Sequence, residues 1–214
     1  MTRRAIVAWA LVIILCTSGV VMLKGPPVKG KKDPRELIRL GLEYQDLGDK
    51  NKALKSFKDA AGSDSEYPQV HFFLGRLYFM MQEEDAAISE FTSFIGKMKT
   101  PRQAMAMDIR EYTQYLNAIV DICGDLKRYA AMKEAIGELI ALDPKDQNAY
   151  YNLGVYYYNA EHDRAKAYQN FKKADGLDPN TSIGKKARYA IEFMRNNPDS
   201  RVAPDLSFIN QEYK

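Results

Sequence analysis

Apolar side chains recur along this chain at two spacings, and each spacing predicts a different element. Ala5 to Leu23 is one run of 19 uncharged residues, relieved only by Thr17, Ser18 and Gly19. As a helix rising about 1.5 Å per residue it spans roughly 28 Å, close to the ~30 Å hydrocarbon core of a bilayer. Beyond Pro34 the apolar positions return three and four residues apart, as in Leu37, Leu40, Gly41 and Tyr44 and again in Ala53, Phe57 and Ala60. That spacing keeps one face of a helix apolar, and it predicts a series of amphipathic helices.

The amphipathic part repeats itself. Leu-Gly-x-x-Tyr begins at Leu40, Leu74 and Leu153, and each copy is followed by an Ala and, four residues later, a Phe: Ala53 and Phe57, Ala87 and Phe91, Ala167 and Phe171. The first two copies lie 34 residues apart and the next 79, which is two such periods plus 11. Pro34, Pro68, Pro101, Pro144 and Pro179 follow one another at intervals of 34, 33, 43 and 35, where a helix must start or stop. Each period therefore reads as a helix pair. Gly and Ala are small where two backbones approach, while Tyr and Phe fill the space between pairs.

These positions resemble the tetratricopeptide repeat, a 34-residue unit with the same order of Leu-Gly, Tyr, Ala, Phe, Ala and Pro. The resemblance implies an all-α fold, a right-handed superhelical solenoid of antiparallel helix pairs over residues 34–197. Its units are 34–67, 68–101, a degenerate 113–146 and 147–180, closed by a cap helix over 181–197. In the degenerate unit Val120 takes the Gly position and Cys123 the Tyr position, removing the small residue that close helix contact uses elsewhere. The extra residues 102–112 lengthen its first helix or add a turn, and unit four has one extra residue in its internal turn. The cap helix packs through Ile183, Ala187, Ala190, Ile191 and Met194 and shows Lys185, Lys186 and Arg188 to solvent. Residues 198–214 read as a tail.

Charge changes the reading of the two ends. The formal net charge is +3, but residues 1–36 hold seven basic side chains against Asp33 and Glu36, leaving 24 basic and 26 acidic residues for the rest. The folding part carries no basic excess, which argues against nucleic-acid binding. The excess belongs to a leader over 1–23 and a Pro/Gly/Lys linker over 24–33, where it speaks to membrane insertion. Three readings of the leader stay open: an uncleaved signal anchor, a signal peptide cut near Cys16-Thr17-Ser18-Gly19, or a lipid anchor on Cys16. The layout favours a bacterial inner-membrane protein with its repeats in the periplasm. Lys24, Lys29, Lys31 and Lys32 argue the other way, for a cytoplasmic body.

Reaction chemistry finds no footing. His71 falls at a packing position, His162 in a turn, Cys123 on a packed face, and Glu83, Glu84 and Asp85 in a solvated turn. Two cysteines and two histidines so widely spaced predict neither a disulfide framework nor a metal site, and no cofactor motif is present. The expected function is non-enzymatic. In the family, partners bind a concave groove lined by the first helix of each pair. Carried over to this register, the groove residues are Ile38 and Leu42; Phe72, Arg76, Phe79 and Met80; Gln114, Asn117 and Asp121; and Asn148, Tyr151, Val155 and Tyr158. The resemblance thus implies a membrane-tethered scaffold binding peptide or helical segments of protein partners, as in assembly of a cell-envelope complex. An alternative is a self-associating organiser, a homo-oligomer whose groove is filled by its own tail, through Leu206, Phe208 and Ile209, or by a neighbouring copy.

Overall fold

The computed structural model describes residues 33–62, 67–99 and 107–200. The leader, residues 24–32 of its linker and the apolar cluster Leu206 to Ile209 lie outside the described residues, among which no helix is long and apolar enough to cross a membrane. Nine helices and no strand occur among the described residues: α1 (Pro34–Asp46), α2 (Lys50–Ala61), α3 (Gln69–Met80), α4 (Glu84–Met98), α5 (Ile109–Asp125), α6 (Tyr129–Leu142), α7 (Gln147–Asn159), α8 (Arg164–Leu177) and α9 (Ser182–Asn196). They pack in sequence as four pairs, α1 with α2 through α7 with α8, and α9 closes the last pair. The insertion before the third pair lengthens α5, which begins at Ile109 and runs to 17 residues.

Local chemistry sets where the helices start. Asp33, Asp49, Asp108, Asp146, Asp163 and Thr181 each accept a hydrogen bond from a backbone N–H in the first turn of the helix that follows. Each satisfies a donor that has no partner within its helix. The turn inside every pair is built alike. Gly48, Gln82, Lys127 and His162 sit there at positive φ of 77°, 64°, 55° and 52°. The next residue then donates its N–H back to the Tyr position of the motif: Asp49 to Tyr44 O at 2.9 Å, Glu83 to Tyr78 O at 2.9 Å and Arg128 to Cys123 O at 2.8 Å. This left-handed cap satisfies a terminal carbonyl and reverses the chain. In unit four the same bond spans one residue more, Asp163 N to Tyr157 O, so the extra residue is absorbed in the turn.

The repeated small residues are required by contact. A Cβ added at Gly41 would lie 2.4 Å from the Phe57 ring, at Gly75 2.5 Å from Phe91, and at Gly154 2.6 Å from Phe171. Each glycine therefore lets a ring lie directly on its partner helix, and burying such a ring contributes about 1.5–3 kcal/mol. In the degenerate unit Val120 and Ile136 hold the equivalent positions, 1% and 0% exposed. The smaller Ile side chain leaves room for Val, and α5 and α6 still pack as a pair. Close contact therefore survives without the glycine.

The junction between the second and third pairs departs from the pattern. The backbone of α4 approaches α6, whereas α2 meets α3 and α6 meets α7. Aromatic side chains span the space to α5: Phe94 lies edge-on to Tyr112 at 5.7 Å, and Phe72 stacks on Tyr115 with centroids 4.1 Å apart.

Candidate functional site: a cleft between the third and fourth repeats

Along α7 the residues at positions 151, 155 and 158 share a face, as i, i+4 and i+7 must. The structure brings Tyr151 and Val155 together with Asp121 of α5 in one cavity of about 330 Å³, which Asp125, Tyr129, Asn152 and Asn159 also line. Val120 and Met132 belong to the buried core and form its floor. Apolar surface thus lies beneath a rim of two carboxylates and two amides. The Asp121 carboxyl is held above the usual aspartate value because it is partly desolvated and lies near Asp125, effects that the Lys186 ammonium offsets only in part. Neither aspartate forms an ion pair among the described residues. Burial also pushes the Tyr151 hydroxyl well above the usual phenol value.

The other expected groove residues scatter into different environments. Phe72 is 2% exposed, so its expected place on the open groove is corrected: Tyr115 covers one face, and Phe91 and Phe94 approach within 6.1 and 5.9 Å. Arg76 is half-buried and lies over the Phe72 ring at 5.8 Å. Ile38 belongs to the core, with Leu42 packed against it, so unit one contributes little free surface. Phe79 is half-buried, while Met80 is 41% exposed. Met80 adjoins the first pair, taking a bond from Lys50 Nζ to its carbonyl at 2.7 Å and one from Gln45 Nε2 to its sulfur at 3.4 Å. Asn148 donates to Asn117 Oδ1 at 3.1 Å and Asn117 donates to Thr113 O, tying α7 to α5 at one end of the face. Gln114 is exposed.

Tyr158 is also covered, by the chain itself. It is 2% exposed, and its hydroxyl donates to Ser200 O at 2.8 Å. The Arg164 guanidinium donates to the same oxygen at 2.8 Å, and to Met194 O and Asn197 O at the end of α9. Residues 198–200 are therefore fastened across the α7 face.

Sequence reasoning missed Tyr115, Asp125, Tyr129, Asn152 and Asn159. A signal existed for part of this set: Asn152, Val155 and Asn159 are spaced to share a face, as are Asp121 and Asp125. Tyr115 lies outside the groove register and carried no signal.

Residues considered for chemistry are structural in their surroundings. His71 Nδ1 lies 2.7 Å from Glu90 Oε2, and Arg128 bridges Glu84 and Asp85 at 3.5 and 2.8 Å. Cys123 is 0% exposed, and burial pushes its thiol up to about 12. Among the described residues no group of His, Cys, Asp and Glu is placed to hold a metal ion.

Family models for the tetratricopeptide repeat match residues 38–96, 113–146 and 147–181. No curated protein matches the chain. Among solved structures it is similar to a crystal structure of MamA protein, 25% identical, with 73% of this chain and 76% of that chain covered at a TM-score of 0.51. It also resembles a tetratricopeptide repeat protein from Parabacteroides merdae, at 20% identity, 78% and 61% coverage and a TM-score of 0.58. MamA from Desulfovibrio magneticus RS-1 is 19% identical, with 80% and 89% covered and a TM-score of 0.57. These last two likenesses speak to the fold alone. With the repeat models covering more than half its length and the helix pairs in the expected register, the chain belongs to the tetratricopeptide repeat family.

Proposed function

We propose that this protein is a membrane-tethered, non-enzymatic scaffold that holds segments of partner proteins in the cleft between its third and fourth repeats. The tetratricopeptide class supports a protein-interaction scaffold. The observation that carries the finer reading is the cleft, where Asp121, Tyr151 and Val155 meet over an apolar floor with two carboxylates free of ion pairs among the described residues. A concave site with apolar walls and a few convergent polar groups suits an extended segment bearing apolar and basic side chains. The tether is read from the uncharged run Ala5 to Leu23, with the repeats in the periplasm of a bacterium and the clients drawn from a cell-envelope assembly.

A photoreactive side chain at Tyr151 tests the cleft in native membranes. Protein adducts from position 151 that are absent from exposed Lys172 support the reading, and equal labelling from both positions refutes it. Recovery in alkaline-washed membranes tests the tether. Chain released entirely into the soluble fraction would refute it.

A further inference from the structure

The described chain ends on the α7 face. Ser200 O is held by Tyr158 and Arg164, and Asn159, the next residue of α7, already lines the cleft. From Tyr158 to Tyr151 the helix rises about 10.5 Å. Fourteen residues follow Ser200; the first five can span at most about 17 Å, more than that rise, so Leu206 reaches the level of Tyr151 on a chain that is not fully extended. A segment leaving Ser200 and running antiparallel to α7 passes the level of Asn159 and Asp125 first, then Val155 and Asp121, then Tyr151.

The sequence after Ser200 has matching chemistry in matching order. Arg201 comes first, where the cleft rim offers two carboxylates, and Leu206, Phe208 and Ile209 follow after Pro204. A guanidinium against two carboxylates and apolar side chains over Tyr151 and Val155 would satisfy both parts of the site. A tethered occupant also competes at high effective concentration, because its binding is intramolecular.

We propose that residues 201–209 of the chain fill the cleft between α5 and α7, with Arg201 at Asp121 and Asp125 and Leu206 to Ile209 over Val155 and Tyr151, so that a partner must displace them. The inference rests on the cleft being a segment-binding site, and it adds the regulation of that site.

A disulfide trap in the full-length chain tests it. Asn152→Cys is combined with Leu206→Cys on a Cys16→Ser background; buried Cys123, with its thiol pushed up to about 12, does not compete. Under oxidised glutathione the intramolecular disulfide is expected to form at least tenfold faster than in a control pairing Lys172→Cys with Leu206→Cys. Adding Arg201→Glu is expected to slow the trap at least threefold, and Asp125→Lys is expected to restore it. Equal rates at positions 152 and 172, or disulfides only between two chains, would overturn the proposal. Photocrosslinking from Tyr151 separates this from failure of the partner reading. Foreign adducts without a trapped tail would overturn the tail assignment alone. A trapped tail with no foreign adduct, even after Leu206→Asp and Phe208→Asp, would overturn the partner reading and leave the tail in the cleft.

Discussion

If the repeated glycines exist to seat a ring, adding one methyl group at Gly75 should be costly where the same change elsewhere is favourable. An ideal Cβ at Gly75 lies 2.5, 2.6 and 3.0 Å from three atoms of the Phe91 ring, whereas ordinary contact begins near 3.4 Å. The ring must therefore retreat by about 0.9 Å, and Phe91 is 0% exposed with Phe72 packed 6.1 Å from it. Overpacking of this kind costs about 1–3 kcal/mol. Gly137 in α6 is the control, because its Cβ would meet nothing within 4 Å. Both changes gain the same helix propensity, about 1 kcal/mol, so the difference between Gly75→Ala and Gly137→Ala isolates the clash. Urea unfolding followed by far-ultraviolet circular dichroism should show Gly137→Ala stabilised by about 1 kcal/mol and Gly75→Ala below it by about 1–3 kcal/mol. The degenerate unit supplies a rescue. Gly75→Val with Phe91→Ile copies the Val120 and Ile136 pair, and the double variant should recover about 0.5–3 kcal/mol relative to the sum of the single changes. Equal effects at Gly75 and Gly137, or strictly additive losses in the double variant, would refute the argument that helix approach is set by this small-to-large match.

Four further outcomes are expected. Gly184→Ala should destabilise the cap helix by more than Gly75→Ala destabilises its pair, because its Cβ would lie 2.2 Å from Asp178 O, and backbone yields less readily than a ring; chemical denaturation monitored at α9 reads this. Lys127→Gly should raise stability by about 0.5–1 kcal/mol, since an L-residue at φ 55° carries a left-handed penalty that glycine lacks. Phe72→Ala should cost about 3–5 kcal/mol in unfolding free energy, the result for a core aromatic, whereas a surface contact residue would cost under about 1 kcal/mol. In a Cys16→Ser background Cys123 should resist alkylation at pH 8, where a thiol raised to about 12 is almost wholly protonated, and should react on adding denaturant; rapid labelling of that native chain would contradict its burial.

The fold was legible because its information is short in range. Leu-Gly-x-x-Tyr and Ala-x-x-x-Phe place a glycine on one helix and a ring on the next, so a single turn converts sequence spacing into contact. Reading the degenerate unit needed one step more. Val120 broke the motif, and only the facing Ile136 shows that volume moved from one side of the contact to the other. The groove was less legible. Its expected positions were correctly spaced along each first helix, yet Phe72, Arg76, Met80, Asp121 and Tyr158 ended in five different surroundings.

The sequence by itself determined the helix pairs, their caps, the glycine seats and the internal turns, since each depends on residues within one unit. The tertiary structure decided which parts of the shared face stay open. Tyr115 from the lengthened α5 closes over Phe72, Ser200 closes over Tyr158, and between them Asp121, Tyr151 and Val155 form a cleft. These are distances between side chains of different repeats, set by how far bulky residues hold the backbones apart, and no pattern within a single repeat encodes them.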